Sequence, residues 1–418
     1  MVSNTTRALR PFFGFQKAER FGHREAAAFS DTSRFRSIRQ YQMLGQSWGI
    51  ENPFFKIQES RSKRSVTIDG KQLVNFGWCD YLGLSDHPEV MAAARSAIDA
   101  FGCCISASRM ISGSLDMHRQ LETELADFFG FENSLTFVSG HAANVSTIAT
   151  LVNKGDLVIH DEFVHNSAIV GARLSGAEIK PFKHNDLESL VRLLLQNRDS
   201  FQNVLIVIEG LCSTEGDCVD LSGLIEIKEK FGCWLMIDDA HGVGVLGESG
   251  RGVAEYAGVD PRKIDIFMGT LSKSLASCGG FIAGNADLIE LLKYSAPGFV
   301  YSVGLPPAVT AAALASLRIL KREPERVHRL HDNSKLFFRD CRARGFDTGT
   351  SIGLGMVPVI VGSVKNTGKL LERMQEQGFN PSPIIYPGVR FNASRLRFFI
   401  SSEHSVDELQ SCAEALSR

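Results

Sequence analysis

Short runs of apolar residues, each ending in a polar cluster, set the rhythm of this chain from Ser134 to Thr270. "SLTFVSG" (134–140), "LVIHDE" (157–162), "VLIVIEG" (204–210), "WLMIDDAHG" (234–242) and "IDIFMGT" (264–270) are rich in Val, Ile and Phe and too short for helices. Between several of them lie helical stretches such as "LESLVRLLLQNR" and "LIEIKEKFG". Near-continuous apolar strands separated by helices predict an α/β fold with a parallel sheet covered on both faces. After "PGFVYSVGLPPAV" the pattern turns helical over 308–322 and again over 325–344. It closes on the strands "MVPVIVG" and "RLRFFISS" and a last helix, as suits a smaller C-terminal α+β domain. The expected organisation is an arm over 1–64, a large domain over 65–300 and a small domain over 301–418. No internal repeat and no low-complexity segment interrupts it.

Composition narrows the partners. The first 64 residues carry twelve Lys and Arg against five Asp and Glu, with aromatics such as Phe12, Phe13, Phe15 and Trp48 scattered among them. That reads as an arm rather than a core. The whole chain of 418 residues is 44% hydrophobic and 22% charged with a net charge of −2, which argues against a nucleic-acid binder. No apolar run approaches the ~20 residues that span a bilayer. The opening "MVSNTTRALRPFFGF" lacks the apolar core of a secretory signal. Nine cysteines, an odd count that includes the adjacent Cys103 and Cys104 but no CxxC, point to reduced thiols and a cytoplasmic setting. Cys and His spacing fits no zinc pattern, so no metal site is expected.

In an open parallel sheet the ligand lies off the carboxyl ends of the strands, and every polar cluster above sits at such an end. "GVGVLG" (242–247) matches GxGxxG, yet another glycine-rich turn follows where a nucleotide fold needs a helix to begin, so it reads as a loop near the site. Lys273, in "GTLSKSLASC", taken alone is a solvated residue at a strand end. Beside it in the fold comes "IDDAHG", an acid followed three residues on by a histidine. A lysine that forms an imine with a carbonyl cofactor, and an acid that keeps a pyridinium nitrogen protonated, are what pyridoxal phosphate (PLP) requires. Thr270 and Ser272 would offer hydroxyls to the phosphate, and "SGHAAN" backbone amides at a helix start. Cys278, Cys103 and Cys104 read as small packing residues.

These motifs together resemble the α-oxoamine synthase family of fold-type I PLP enzymes. "DYLGLSDHP", "SRMISGS", "FVSGHAAN", "HDEFVHNS", "EGLCSTEGD", "IDDAHGVGVLGESGRG", "GTLSKSLASCGGFIAG" and "RLRFFISSEH" stand in the family's order, from about Asn52 to the C-terminus. The resemblance implies a mostly parallel seven-stranded sheet in the large domain. It makes Lys273 the Schiff-base lysine, Asp238 the partner of the pyridine nitrogen, His165 the histidine stacked on the ring and His241 the one near its phenolic oxygen. Gly140 and His141 fall on the phosphate-side loop, where the family usually has Phe or Tyr at 141. Glu209 and Ser213 lie beside the cofactor, and Arg397 matches the residue that holds the amino-acid carboxylate. Ser302 matches a hydroxyl that reaches the phosphate from the opposite subunit, which makes the chain a homodimer.

The activity implied is a decarboxylating condensation of glycine, alanine or serine with an acyl thioester, on coenzyme A or an acyl carrier protein. An aminotransferase, an aldolase and a non-catalytic subunit of a heterodimer stay open as alternatives. Cys79 replaces the family's usual Asn or Tyr before "DYLG", and Cys104 and Ile105 stand where glycines usually alternate. Both departures are expected to shape the substrate side, toward a longer acyl group than acetyl. The basic arm is expected to dock an acidic carrier or to wrap its own dimer.

Overall fold

A computed structural model describes residues 26–417 apart from residue 63. The expected arm's aromatics Phe12, Phe13 and Phe15 lie outside the described residues. The chain divides into two units, Met1–Asn52 and Pro53–Arg418. The first holds the helix Ser33–Ser47, begun by Thr32, whose Oγ1 accepts a hydrogen bond from the Phe35 amide at 3.3 Å.

The second unit is built on two sheets. Its strands are β1 Gln58–Ser62, β2 Ser65–Ile68, β3 Lys71–Phe76, β4 Asn133–Phe137, β5 Leu157–Asp161, β6 Glu178–Phe182 and β7 Val204–Glu209. Then follow β8 Trp234–Asp238, β9 Ile266–Thr270, β10 Gly280–Gly284, β11 Met356–Gly362, β12 Phe379–Ile384 and β13 Ser394–Phe399. The larger sheet has seven strands in the order β4-β10-β9-β8-β7-β5-β6. Only β10 runs against its neighbours, pairing antiparallel with both β4 and β9. The expected parallel sheet is therefore mixed by one strand. The other sheet has six strands, β1-β2-β3-β12-β13-β11. Residues 65–76, expected at the start of the large domain, pair within it, β3 running parallel to β12.

The alternation of side chains along a strand explains why the central strands read as unbroken apolar runs. In β7, Leu205 and Val207 pack into the core on one face while Ile206 and Ile208 enter the core on the other. In β8, Met236 faces one core and Leu235 and Ile237 the other. Helices cover both faces, so no position in these strands needs to be polar until the strand ends.

The reversed β10 has a local consequence. Register pairs Gly280 with Thr270, so the chain leaves β9 and returns to it within one loop, 271–279. Lys273 sits in that loop. Ala276 in the same loop has φ +48°, the left-handed region a non-glycine residue enters at some cost, and its amide is bonded to the Lys273 carbonyl at 2.9 Å. The turn that presents the lysine is held, not slack.

Candidate active site

A cavity of about 410 Å³ opens off the carboxyl ends of β7, β8 and β9. Lys273, Asp238, His165, Glu209 and Arg397 line it, with Gly140 and His141 at one side and Cys79 at another. His241, Ser213 and Thr270 complete the predicted residues that reach it.

Asp238 ends β8 with its carboxylate buried and divided between two donors. The Ala240 amide reaches Oδ1 at 3.1 Å, and Asn144 Nδ2 reaches Oδ2 at 2.7 Å. Asn144 lies in the helix Gly140–Leu151, about one turn from its start, and also donates to Ser167 Oγ at 2.9 Å. Ser167 Oγ is 2.6 Å from His165 Nδ1, which ties the His165 ring to the same network. Asn144 was not singled out from the sequence, although "SGHAAN" ends on it.

The helix Gly140–Leu151 begins at Ser139, whose Oγ accepts from the Ala142 amide at 3.0 Å. The start is packed closely. A Cβ at Gly140 would stand 2.9 Å from Met268 Cε, and one at Gly280 would stand 2.6 Å from the Gly140 Cα. Two glycines thus bring a helix N-terminus, with its free amides, to the edge of the cavity beside Thr270.

On the opposite side, Arg397 Nη1 donates to the Ser213 carbonyl at 2.9 Å, and its guanidinium lies over the Phe399 ring at 5.0 Å. Its Nε is buried with no hydrogen-bond partner among the described residues. Arg395, the first arginine of "RLR", instead pairs with Glu215 at 2.7 Å and does not line the cavity. The Phe399 ring stacks on His241 at 6.1 Å between centroids, and Tyr81 Oη is 2.7 Å from His241 Nδ1. Glu209 accepts the Ser213 amide at 2.6 Å and lies beside Asp238, its register partner on the neighbouring strand.

The electrostatics follow from crowding charges in a buried place. Burial lowers the Lys273 ammonium against the opposing pull of Cys79, Asp238 and Glu209. Burial, then the Lys273 charge, holds His241 well below its ordinary value, so it is neutral. Burial, with the Asp238 charge next, pushes the Glu209 carboxyl up to about 7. Burial also raises the Cys79 thiol, whose nearest charges are Lys273 and Arg397.

Four expected residues do not line this cavity. Ser272 donates from Oγ to the Gly279 carbonyl at 3.1 Å, closing its own loop, and does not line the cavity. Ser302 does not line this chain's cavity either. Cys104 is exposed, and neither it nor Ile105 lines the cavity.

The residues present fit PLP. Asn144 Oδ1 and Arg397 Nε are orphaned buried polar atoms at the cavity, and Gly140 leaves space at the helix start that a side chain would fill. An acid held by two donors, an amine with a depressed pKa and a set of helix amides are the donor set a phosphorylated pyridine aldehyde calls for.

Comparison with known proteins agrees. Residues 71–416 match the family described as Aminotransferase class I and II. An 8-amino-7-oxononanoate synthase from Symbiobacterium thermophilum is 38% identical over 370 residues, 88% of this chain and 94% of that protein. A serine palmitoyltransferase from Sphingobacterium spiritivorum is 35% identical over 365 residues, covering 87% and 91% of the two chains. The solved serine palmitoyltransferase of Sphingomonas wittichii superposes with a TM-score of 0.89 at 30% identity, covering 94% of this chain and 98% of that one.

Proposed function

Because the chain belongs to the α-oxoamine synthase family within the class I and II aminotransferases, we propose that it condenses a small amino acid with an acyl thioester, using PLP. The products are an α-amino ketone, carbon dioxide and free thiol. The fold is the fold-type I PLP transferase fold, and the chain is an acyltransferase. The observation that carries the reading is one cavity in which Lys273 and Asp238 stand opposite an arginine, Arg397, with an unspent donor.

Bound PLP supplies a ring that accepts the electron pair left on carbon when a proton or carbon dioxide departs. The chain does the rest. Asp238, oriented by Asn144 and the Ala240 amide, holds a proton on the ring nitrogen. His165 and His241, which line the cavity, would hold the cofactor ring, His241 as a neutral donor. The helix amides at Gly140 and His141, with Thr270, hold the phosphate. Arg397 orients the substrate carboxylate through Nε and its remaining guanidinium donors, a planar task for which lysine is a poor substitute. Lys273 Nζ takes the substrate's α-proton, and burial, which lowers the amine's pKa from its ordinary value, favours that role. Cys79 lines the same cavity and feels the charges of Lys273 and Arg397, and there it narrows the choice of substrate.

The chain acts as a homodimer. Support comes from Ser302, which lies outside its own cavity, and from its exposed apolar neighbour Tyr301. The donor carries an acyl group longer than acetyl. Among the described residues no helix is long and apolar enough to cross a membrane.

The test supplies glycine, alanine and serine with acyl thioesters of increasing length, on coenzyme A and on a carrier protein, and measures free thiol and carbon dioxide. Equimolar release of both with one amino acid is expected. Amino-group transfer without thiol release would favour an aminotransferase, and no release with any pair a non-catalytic subunit. Equal rates on both donors at low and high salt would remove the carrier reading.

A further inference from the structure

Outside the cavity, one cluster of titratable side chains is buried and tied to two loops of the site. His184 lies between two carboxylates. Its Nδ1 is 2.8 Å from Asp161 Oδ1, and its Nε2 is 3.1 Å from both oxygens of Asp217. Asp161 ends β5 and begins the loop that carries His165; its Oδ1 accepts the Phe163 amide at 2.8 Å. Asp217 closes the turn after β7, where the Cys212 amide bonds to the Asp217 carbonyl at 2.9 Å. Thr350 Oγ1 donates to Asp217 Oδ2 at 2.6 Å. Within that turn sits Ser213, whose carbonyl accepts Arg397 Nη1.

We propose that His184 is a positioning residue: bridging Asp161 and Asp217, it locks the turn that aims Arg397 at the substrate carboxylate. The inference rests on the reading of Arg397 given above. Only a doubly protonated imidazole donates to carboxylates at both ends. Burial works against that charge, but the hydrogen bonds His184 donates to Asp161 and Asp217 outweigh it and raise His184 to about 12. Cys212 Sγ stands close enough to complete a metal-like trio with His184 and Asp217. Both ring nitrogens, however, already face carboxylate oxygens, so protons occupy the directions a metal would need.

The His184 bridge ties the turn to the β5 loop. If the turn shifts, the Ser213 carbonyl moves and Arg397 loses its bearing, while Asp238, Asn144 and Lys273, held from other elements, keep theirs.

The experiment compares two ligands of the holoenzyme by spectral titration of the bound cofactor: serine, and ethanolamine, its counterpart without the carboxylate. The ratio of their affinities reports how well the carboxylate is held. His184→Gln keeps one donor and loses the other, and should lower that ratio about ten-fold while leaving ethanolamine affinity unchanged. General loosening of the fold would weaken both ligands alike and leave the ratio intact. Arg397→Ala is the control. If it collapses the ratio and His184→Gln does not, the positioning role is wrong and the reading of Arg397 stands. If Arg397→Ala leaves the ratio untouched, the reading of Arg397 itself fails. Should His184→Gln not fold, Thr350→Val, which removes one hydrogen bond to Asp217, should lower the ratio about two-fold, and an unchanged ratio overturns the proposal. A ratio that falls on chelation and returns with zinc would put a metal where the proton is placed and overturn it equally.

Discussion

Asn144 Nδ2 and Asp238 Oδ2 are 2.7 Å apart, both buried, one on the helix after β4 and the other at the end of β8. On the proposed reading, the pair joins the helix start that would hold the phosphate with the acid that would partner the ring nitrogen. Asn144→Ala should cost about 1–3 kcal/mol of stability, because a buried carboxylate oxygen loses its donor. PLP affinity should fall with it, measured by equilibrium titration of the cofactor-free protein. Unchanged PLP affinity would show that Asp238 needs no such support.

Lys273→Ala should abolish turnover and the covalent retention of the cofactor after borohydride reduction, read by mass spectrometry. The melting temperature should stay close to that of the parent, since the lysine loop is closed by Ser272, Gly279 and the Ala276 amide rather than by the lysine side chain. Substantial turnover without added amine would take Lys273 out of the reaction.

Glu209 makes the cofactor-free protein sensitive to pH. Its folded value of about 7 exceeds its ordinary 4.5, so the folded chain binds this proton more tightly than the unfolded chain. The associated stability is present in full below pH 4.5 and is lost as pH rises through about 7. Glu209→Gln should remove that part of the slope, a difference on the order of 3 kcal/mol at most between pH 4.5 and 8 in urea titrations. Asp239, also raised by burial to about 7, keeps a slope of its own in the variant. Parallel curves for parent and variant would contradict the assignment.

Ile111 is 81% exposed and Tyr301 88%, and a bridge between Ser108 and Val303 brings their loops together. Burying two such side chains between copies contributes roughly 1.5–3 kcal/mol each. Ile111→Glu combined with Tyr301→Glu should convert the proposed dimer to an inactive monomer in light scattering. Mixing Lys273→Ala chains with Ser302→Ala chains should restore part of the activity each lacks, if the serine is needed across the interface. A fully active monomer would refute the shared site.

Strands that are buried on both faces were legible because nothing interrupts them: β5, β7, β8, β9 and β11 lie within the runs read from the sequence. The strands that were missed break the pattern for identifiable reasons. β6, "EIKPF", is half polar at the sheet's edge, β10, "GFIAG", is bracketed by glycines, and β12, "FNPSPI", contains two prolines. The site was legible where chemistry needs a particular side chain, as at Lys273 and Asp238, both of which reach the cavity. It was not legible where a residue acts through another. Asn144 is one of several polar residues in its helix, and His184 lies in "KHND", just past the end of β6, a strand the apolar pattern did not reveal. Ser272 shows the converse: a hydroxyl beside the lysine in sequence that spends itself on its own loop.

The hold on Arg397 is a peptide carbonyl, at Ser213, and not a side chain. Every amino acid carries that group, so no exchange of one residue for another at 213 can delete the acceptor. Drift at this position can alter what the serine hydroxyl does for Glu209 while the arginine keeps its grip. If Arg397 holds the substrate's carboxylate as proposed, its alignment is written into the path of the main chain, where the genetic code has few ways to erase it.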